Sequence, residues 1–258
     1  MGKRLYSVDD TFLDVFGSHQ AWFVGLMAAD GCINSENSFG IAQSSDHGKK
    51  IVSYLQELLG HTGNISRHKN SYGITITSKR LVERLLYYGV FQRKSLSYTF
   101  PRNLPIEYFR DFLRGYIDGD GSVGVYNVGR SPQLLVVSFV GTKEFIFECG
   151  KFIPVKCCFH EIKHAKNLFE IRFNGKKAIE FGEWLWENKD LYKYYKQDIY
   201  ENFMKIYAPG LRFLRYKKLR EIALRMLIEN IPVKKIEKEI GVRFQTIYKW
   251  KKEYGKSL

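Results

Sequence analysis

The sequence predicts an α+β fold made of two copies of one αββαββα unit, followed by a small all-α tail. An apolar helical stretch ending in Asp-Gly occurs twice, as Ala21-Trp-Phe-Val-Gly25-Leu-Met-Ala-Ala29-Asp30-Gly31 and as Phe112-Leu-Arg-Gly115-Tyr-Ile-Asp-Gly119-Asp120-Gly121. Repetition of a whole unit is the strongest organising signal a sequence carries. Each copy is followed by extended runs in which apolar and polar residues alternate with period two, the mark of a sheet with one buried face. After Pro209-Gly210 the composition turns basic and strongly helical. The expected divisions are therefore residues 1–100, 101–208 and 209–258.

The elements follow in order. The stretch ending at Asp30 is apolar on all sides, so its helix must be buried. An extended segment closes with Ser38-Phe-Gly-Ile-Ala-Gln43-Ser44, and a helical pattern runs from Lys49 to Leu59. A strand over Tyr72 to Thr77 precedes a helix starting at Lys79. Arg93 to Pro105 is a linker with two prolines, and Pro105 suits the first turn of the helix that leads to Gly115. The second copy repeats the pattern: a strand through Leu134 to Phe139, a helix over Lys143 to Phe152, a strand over Phe169 to Asn174, and a helix from Lys176. Two halves of one pattern imply a pseudo-twofold axis.

Composition narrows the function classes. The chain has 258 residues, 45% of them apolar, enough for a real core. Its longest apolar run, Ala21 to Ala29, is far short of the ~20 residues a bilayer span needs, and the first ten residues carry no apolar signal region. No membrane and no secretion are expected. The four cysteines, Cys32, Cys149, Cys157 and Cys158, do not make a disulfide framework in a chain this long. Lys and Arg number 41 against 27 Asp and Glu, a net charge of +14 that favours a polyanionic partner, nucleic acid above all.

Small residues four apart, at Gly25 and Ala29 and at Gly115 and Gly119, let the two repeated helices approach closely. Their C-terminal ends then meet at the axis, and Asp30 faces Asp120. Two carboxylates ~4 Å apart repel by about 4 kcal/mol at an effective dielectric of 20, and helix C-termini add negative potential. A hard divalent cation offsets that repulsion, since Mg²⁺ favours carboxylate, carbonyl and water oxygen.

Phe23-Val-Gly-Leu-Met-Ala-Ala-Asp-Gly31 and Leu113-Arg-Gly-Tyr-Ile-Asp-Gly-Asp-Gly121 resemble the signature of the LAGLIDADG homing endonucleases, in their single-chain, two-motif form. The resemblance spans about residues 10–208. It implies two halves forming a DNA-binding saddle, with Asp30 and Asp120 as catalytic, metal-binding acids and Ala29 and Gly119 as backbone carbonyl ligands. The first motif departs at Ala28, where the second keeps Asp118. The resemblance further assigns Lys79 and Lys176, just after the last strand of each half, to the surroundings of the attacking water. It assigns Gln43 to a polar position that Gly141 occupies in the second half, so the two centres are expected to be unequal. The implied activity is Mg²⁺-dependent hydrolysis of both strands of a long double-stranded DNA site, with Mn²⁺ as a substitute and short 3′ overhangs as products. The protein is expected to act as a monomer, inside the cell with the DNA.

Outward side chains of the strands suit base reading in the major groove, with Thr75 and Thr77 in the first half and Arg172 and Asn174 in the second. In the tail, Glu221 to Asn230 forms an amphipathic helix, and Pro232 to Trp250 resembles a helix-turn-helix with Gly241 at the turn. Ile236, Ile240, Val242, Ile247 and Trp250 are its apolar set, and Arg243, Gln245, Thr246 and Lys249 are its candidate base contacts. Two other functions fit the same motifs: a maturase that binds intron RNA, and a catalytically silent DNA-binding regulator, the latter disfavoured by retention of both acids.

Overall fold

A computed structural model describes residues 5–92, 94, 97–128, 131–206 and 212–254. The chain divides into two compact units, Met1–Glu201 and Asn202–Leu258. The boundary expected at Pro209-Gly210, and Arg93, Ser95 and Leu96 of the linker, lie outside the described residues.

In the first unit, one half comprises α1 (Ser18–Ala29), β1 (Gly31–Ser35), β2 (Ser38–Ser44), α2 (Ser45–Leu58), β3 (Ser66–His68), β4 (Ser71–Thr77) and α3 (Lys79–Tyr87). The other comprises α4 (Phe109–Asp120), β5 (Ser122–Val128), β6 (Ser131–Thr142), α5 (Lys143–Phe152), β7 (Phe159–Glu161), β8 (Leu168–Asn174) and α6 (Lys176–Leu185). After α6 comes α7 (Tyr195–Ile206), which runs across the division between the units. Each half builds one antiparallel sheet, in the order β1-β2-β4-β3 or β5-β6-β8-β7. Identical strand order in both sheets is the repeat seen in three dimensions.

Two element starts differ from expectation. The helix expected from Lys49 begins at Ser45, with Asp46 in its first turn. Its apolar face opens only at Ile51, so periodicity misses the polar first turn, where an acidic residue complements the helix dipole. Pro105 caps a single 3₁₀ turn, Ile106–Tyr108, and the α-helix proper starts at Phe109.

The axis is α1 against α4. Every residue from Ala21 to Ala28 is buried, as the absence of any polar face on this stretch requires. The crossing depends on two glycines. A Cβ placed on Gly25 would lie 1.9 Å from the Phe112 carbonyl oxygen, and one on Gly115 would lie 1.9 Å from that of Trp22. The helices therefore touch backbone to backbone. On one strand face of each sheet Phe39, Ile41, Ile74 and Ile76, or Val137, Phe139, Ile171 and Phe173, are buried against the helices. Each such side chain contributes about 1.5–3 kcal/mol on burial.

The second unit contains α8 (Arg212–Ile228), α9 (Val233–Ile240) and α10 (Phe244–Tyr254) around a core of Ala223, Met226, Ile236, Val242, Ile247 and Trp250. Gly241 closes α9 in the left-handed conformation, φ 67°, where glycine is favoured. Charge is divided unevenly. Residues 202–258 hold 15 Lys and Arg against 5 Asp and Glu, a net +10, which leaves +4 for residues 1–201.

Candidate active site

Because α1 and α4 cross at their glycines, their C-terminal ends come together. Asp30 is the cap residue of α1 and Asp120 the last residue of α4. A Cβ on Gly119 would lie 2.5 Å from the Ala29 Cβ and 2.9 Å from Asp30 Oδ2, so the second small residue of this pair also permits the close approach. Both acids line one cavity of about 600 Å³, with Ala29, Lys94, Tyr98, Tyr116 and Gly141 also on its wall. Burial, then the charge of Asp30, pushes the Asp120 carboxyl up to about 6.

Gln43, on β2, donates from Nε2 to Asp30 Oδ2. At the matching position of the second sheet stands Gly141, opposite Phe169 as Gln43 is opposite Tyr72. A Cβ there would come 2.6 Å from Phe145 Cδ1, so that aromatic ring holds the space a side chain would need.

Two lysines the sequence reading did not select are turned toward the acids. Lys94, almost fully buried, donates to the Gly31 carbonyl next to Asp30. Burial lowers its pKa, against the opposing charges of Asp120, Cys32 and Asp30. Lys196, at the start of α7, donates to the carbonyls of Ile117 at 2.7 Å, Asp118 at 2.9 Å and Gly119 at 2.7 Å. Burial brings its pKa down to about 8, opposed by Asp118, Asp30 and Asp120. Cations at a helix C-terminus oppose its negative end.

Lys79 and Lys176, expected near the attacking water, are not on the wall of this cavity. Each opens an exposed helix start and pairs along that helix, Lys79 with Glu83 at 4.0 Å and Lys176 with Glu180 at 3.5 Å. The register explains why. Gly31, beside Asp30, is level with Ile41 and Ile74, whereas Thr77 is level with Ser38. The last strand thus leaves its sheet three residues beyond the acidic end, about 10 Å at strand spacing. The chain returns toward the acids only after the following helix, at Lys94 and at Lys196. A signal was present: both lysines follow the last helix of their half, each in a stretch that periodicity leaves unassigned.

Of the expected carbonyl ligands, Ala29 lines the cavity, and the Gly119 carbonyl accepts from Lys196. The donor set suits a hard, largely hydrated divalent ion: two facing carboxylates, backbone carbonyls and room for water. One consequence is measurable without any substrate. A carboxyl raised above its ordinary value binds more protons folded than unfolded, so between pH ~4 and ~6 stability should rise as pH falls. Asp118 acts in the same direction, pushed up to about 6 by burial, with its bond from Trp22 Nε1 (2.8 Å) and the charges of Arg114 and Lys196 opposing. A divalent cation held by the same carboxylates would compete with those protons. Mg²⁺ should raise the melting temperature at about pH 7.5 and lose that effect near pH 5, and Asp30→Asn should abolish the shift. Equal shifts at both pH values would exclude the acids as its ligands.

On the opposite strand faces, Thr75, Thr77, Arg172 and Asn174 are exposed, alternating with buried Ile74, Ile76, Ile171 and Phe173. Arg172 is held by Glu170 at 3.0 Å. Gly73 shares the face but is covered. In the second unit Arg243, Gln245 and Lys249 are exposed and Thr246 is half-buried. Phe244 and Tyr248 are also exposed and touch edge to face, 6.3 Å apart. No helix of the described residues is long and apolar enough to cross a membrane.

No family model and no curated protein matches the chain. Solved structures do. The meganuclease I-SmaMI bound to uncleaveable DNA superposes with a TM-score of 0.54 at 13% identity over 74% of this chain and 90% of that one. The I-GzeII LAGLIDADG homing endonuclease in complex with its DNA target gives 0.54 at 13% identity, over 77% and 94%. The I-LtrWI LAGLIDADG homing endonuclease bound to target DNA gives 0.51 at 14%, over 81% and 95%. With its doubled αββαββα unit and two motif helices crossing at their glycines, this chain has the LAGLIDADG homing endonuclease fold.

Proposed function

We propose that the protein is a site-specific endonuclease that hydrolyses both strands of double-stranded DNA with a divalent cation, Mg²⁺ or in its place Mn²⁺. The observation that carries the reading is the acidic pair itself, two carboxylates brought together by a backbone contact with two buried ammonium groups turned toward them. Its support comes from three neighbours of the same fold described as bound to DNA, one of them also in the presence of calcium ions.

In this reading Asp30 and Asp120 would hold the cation, which would supply Lewis acidity for activating a water and positive charge for the reacting phosphate. Gln43 fixes the orientation of the Asp30 carboxylate. Lys94 and Lys196 supply fixed positive charge beside the scissile phosphates, at no reorganisation cost because both are already held by carbonyls. Lys79 and Lys176 have no part in it. Thr75, Thr77, Arg172 and Asn174 contact the DNA grooves, and short 3′ overhangs result.

The second unit adds a contact through Arg243, Gln245, Thr246 and Lys249. Arg243→Ala with Lys249→Ala should weaken binding at every sequence and reduce the salt slope by ~0.9 for each lost phosphate contact. An unchanged slope in filter-binding titrations would remove this unit from the DNA.

The experiment for the whole reading is incubation with a randomised plasmid library and Mg²⁺, followed by sequencing of linearised ends. Cuts at one long motif with 3′ overhangs are expected. Tight DNA binding without cuts would overturn it.

A further inference from the structure

Arg114 precedes the glycine of closest approach in α4 and is 1% exposed. Burying a guanidinium costs several kcal/mol unless its donors are satisfied. Here both terminal nitrogens are satisfied by the irregular chain after α6 and the first turn of α7, while Nε is buried without a partner among the described residues. Nη1 donates to the Asn188 carbonyl at 2.6 Å, and Nη2 to the carbonyls of Leu191 at 3.2 Å and Tyr192 at 2.6 Å and to Gln197 Oε1 at 2.9 Å. That stretch joins α6 to α7 and has no ladder of its own, so its carbonyls need outside donors.

The same stretch delivers Lys196. Gln197, the residue Arg114 grips, adjoins it and is further tied by Nε2 to Glu201 Oε1 at 2.8 Å. Helix α4 thus gives Arg114 to the connector, and the connector returns Lys196 to the last-turn carbonyls of α4. Among the described residues the first half shows no counterpart: the residue before its glycine is Val24, and Lys94 rests on the Gly31 carbonyl.

We propose that Arg114 is a positioning residue, a clamp on the connector from residue 188 and the first turn of α7 that sets the Lys196 ammonium beside the acidic pair. The proposal deepens the endonuclease reading and, for its activity arm, rests on it.

The test is a double-mutant cycle with Arg114→Gln and Lys196→Met, read by single-turnover cleavage well below the melting temperature and by DNA affinity in Ca²⁺. Arg114→Gln is expected to slow cleavage roughly 10- to 100-fold, as misplacement by about an ångström does, with affinity held within about twofold. In the Lys196→Met background it should cost almost nothing more. Arg114→Lys, the milder variant if the glutamine protein does not fold, should slow cleavage too, since an ammonium lacks the fork that reaches four acceptors. Equal losses in both backgrounds would overturn the clamp. A second arm needs no activity: acetylation of Lys196, followed by mass spectrometry, should accelerate at least about tenfold in either Arg114 variant if the ammonium is released. Wild-type protection of Lys196 in those variants would sink the proposal. A wild-type protein that cuts no DNA but loses protection on mutation would sink the endonuclease reading alone.

Discussion

Asp30→Asn and Asp120→Asn are each expected to reduce DNA cleavage by roughly 10³-fold or more while leaving affinity nearly intact. Asparagine keeps the shape of the side chain and removes its charge, so the protein surface presented to DNA barely changes. The acidic pair proposed to hold the cation, however, loses half its charge. The same substitutions have a signature that a damaged fold lacks. Both relieve repulsion between two carboxyl groups, one of them held up to about 6 by burial and its neighbour. The variants should therefore melt at or above the wild-type temperature near pH 8, since a raised carboxyl costs stability above its folded pKa of about 6. Cleavage retained in both variants would overturn the assignment, and a lowered melting temperature would mean the loss of activity is structural.

Gly25→Ala should be the most damaging single methyl in the molecule. The new Cβ would fall 1.9 Å from the Phe112 carbonyl oxygen, in backbone that no side-chain rotation can move. Either α1 and α4 separate along their length, or the methyl is accommodated by strain. Overpacking commonly costs about 1–3 kcal/mol, and a clash with backbone belongs above that range. A loss of more than about 3 kcal/mol in urea unfolding is expected, enough to unfold a marginal domain. Gly119→Ala is the informative contrast. Its Cβ would meet the Ala29 Cβ and an Asp30 oxygen, so it should cost less stability and more activity. A wild-type unfolding midpoint for Gly25→Ala would disprove the glycine crossing.

The parts of this structure legible in the sequence are those fixed by local pattern. The apolar run through Ala21 to Ala28, the alternation Ile74, Thr75, Ile76, Thr77, and the paired small residues each dictate their own burial or approach. Gln43, singled out by the resemblance alone, does meet Asp30, since a strand residue's row follows from its register with the element before it. For lysines sequence is a weaker guide, because an exposed helix start and a buried site cation look alike as single letters. What separates Lys79 from Lys94 is which end of the sheet the chain has reached, a property of the path between elements. Arg114 was passed over for a related reason. Its acceptors lie 74–83 residues away, and they are mostly carbonyls, which carry no residue identity. The three-residue strands Ser66–His68 and Phe159–Glu161 are too short for alternation to register.

The uneven division of charge, +10 in residues 202–258 and +4 before them, separates searching from commitment. If the protein acts on DNA as proposed, its hold on arbitrary sequence is concentrated in a unit that contains none of the hydrolytic groups. Counterion release then governs how fast a genome is scanned and how often the protein falls off, while turnover on an engaged site is set by short-range contacts within the cavity that salt screens less. Ionic strength would act as a dial on kcat/KM with kcat nearly unmoved. A cell could thus shift how widely the enzyme roams without changing how it cuts.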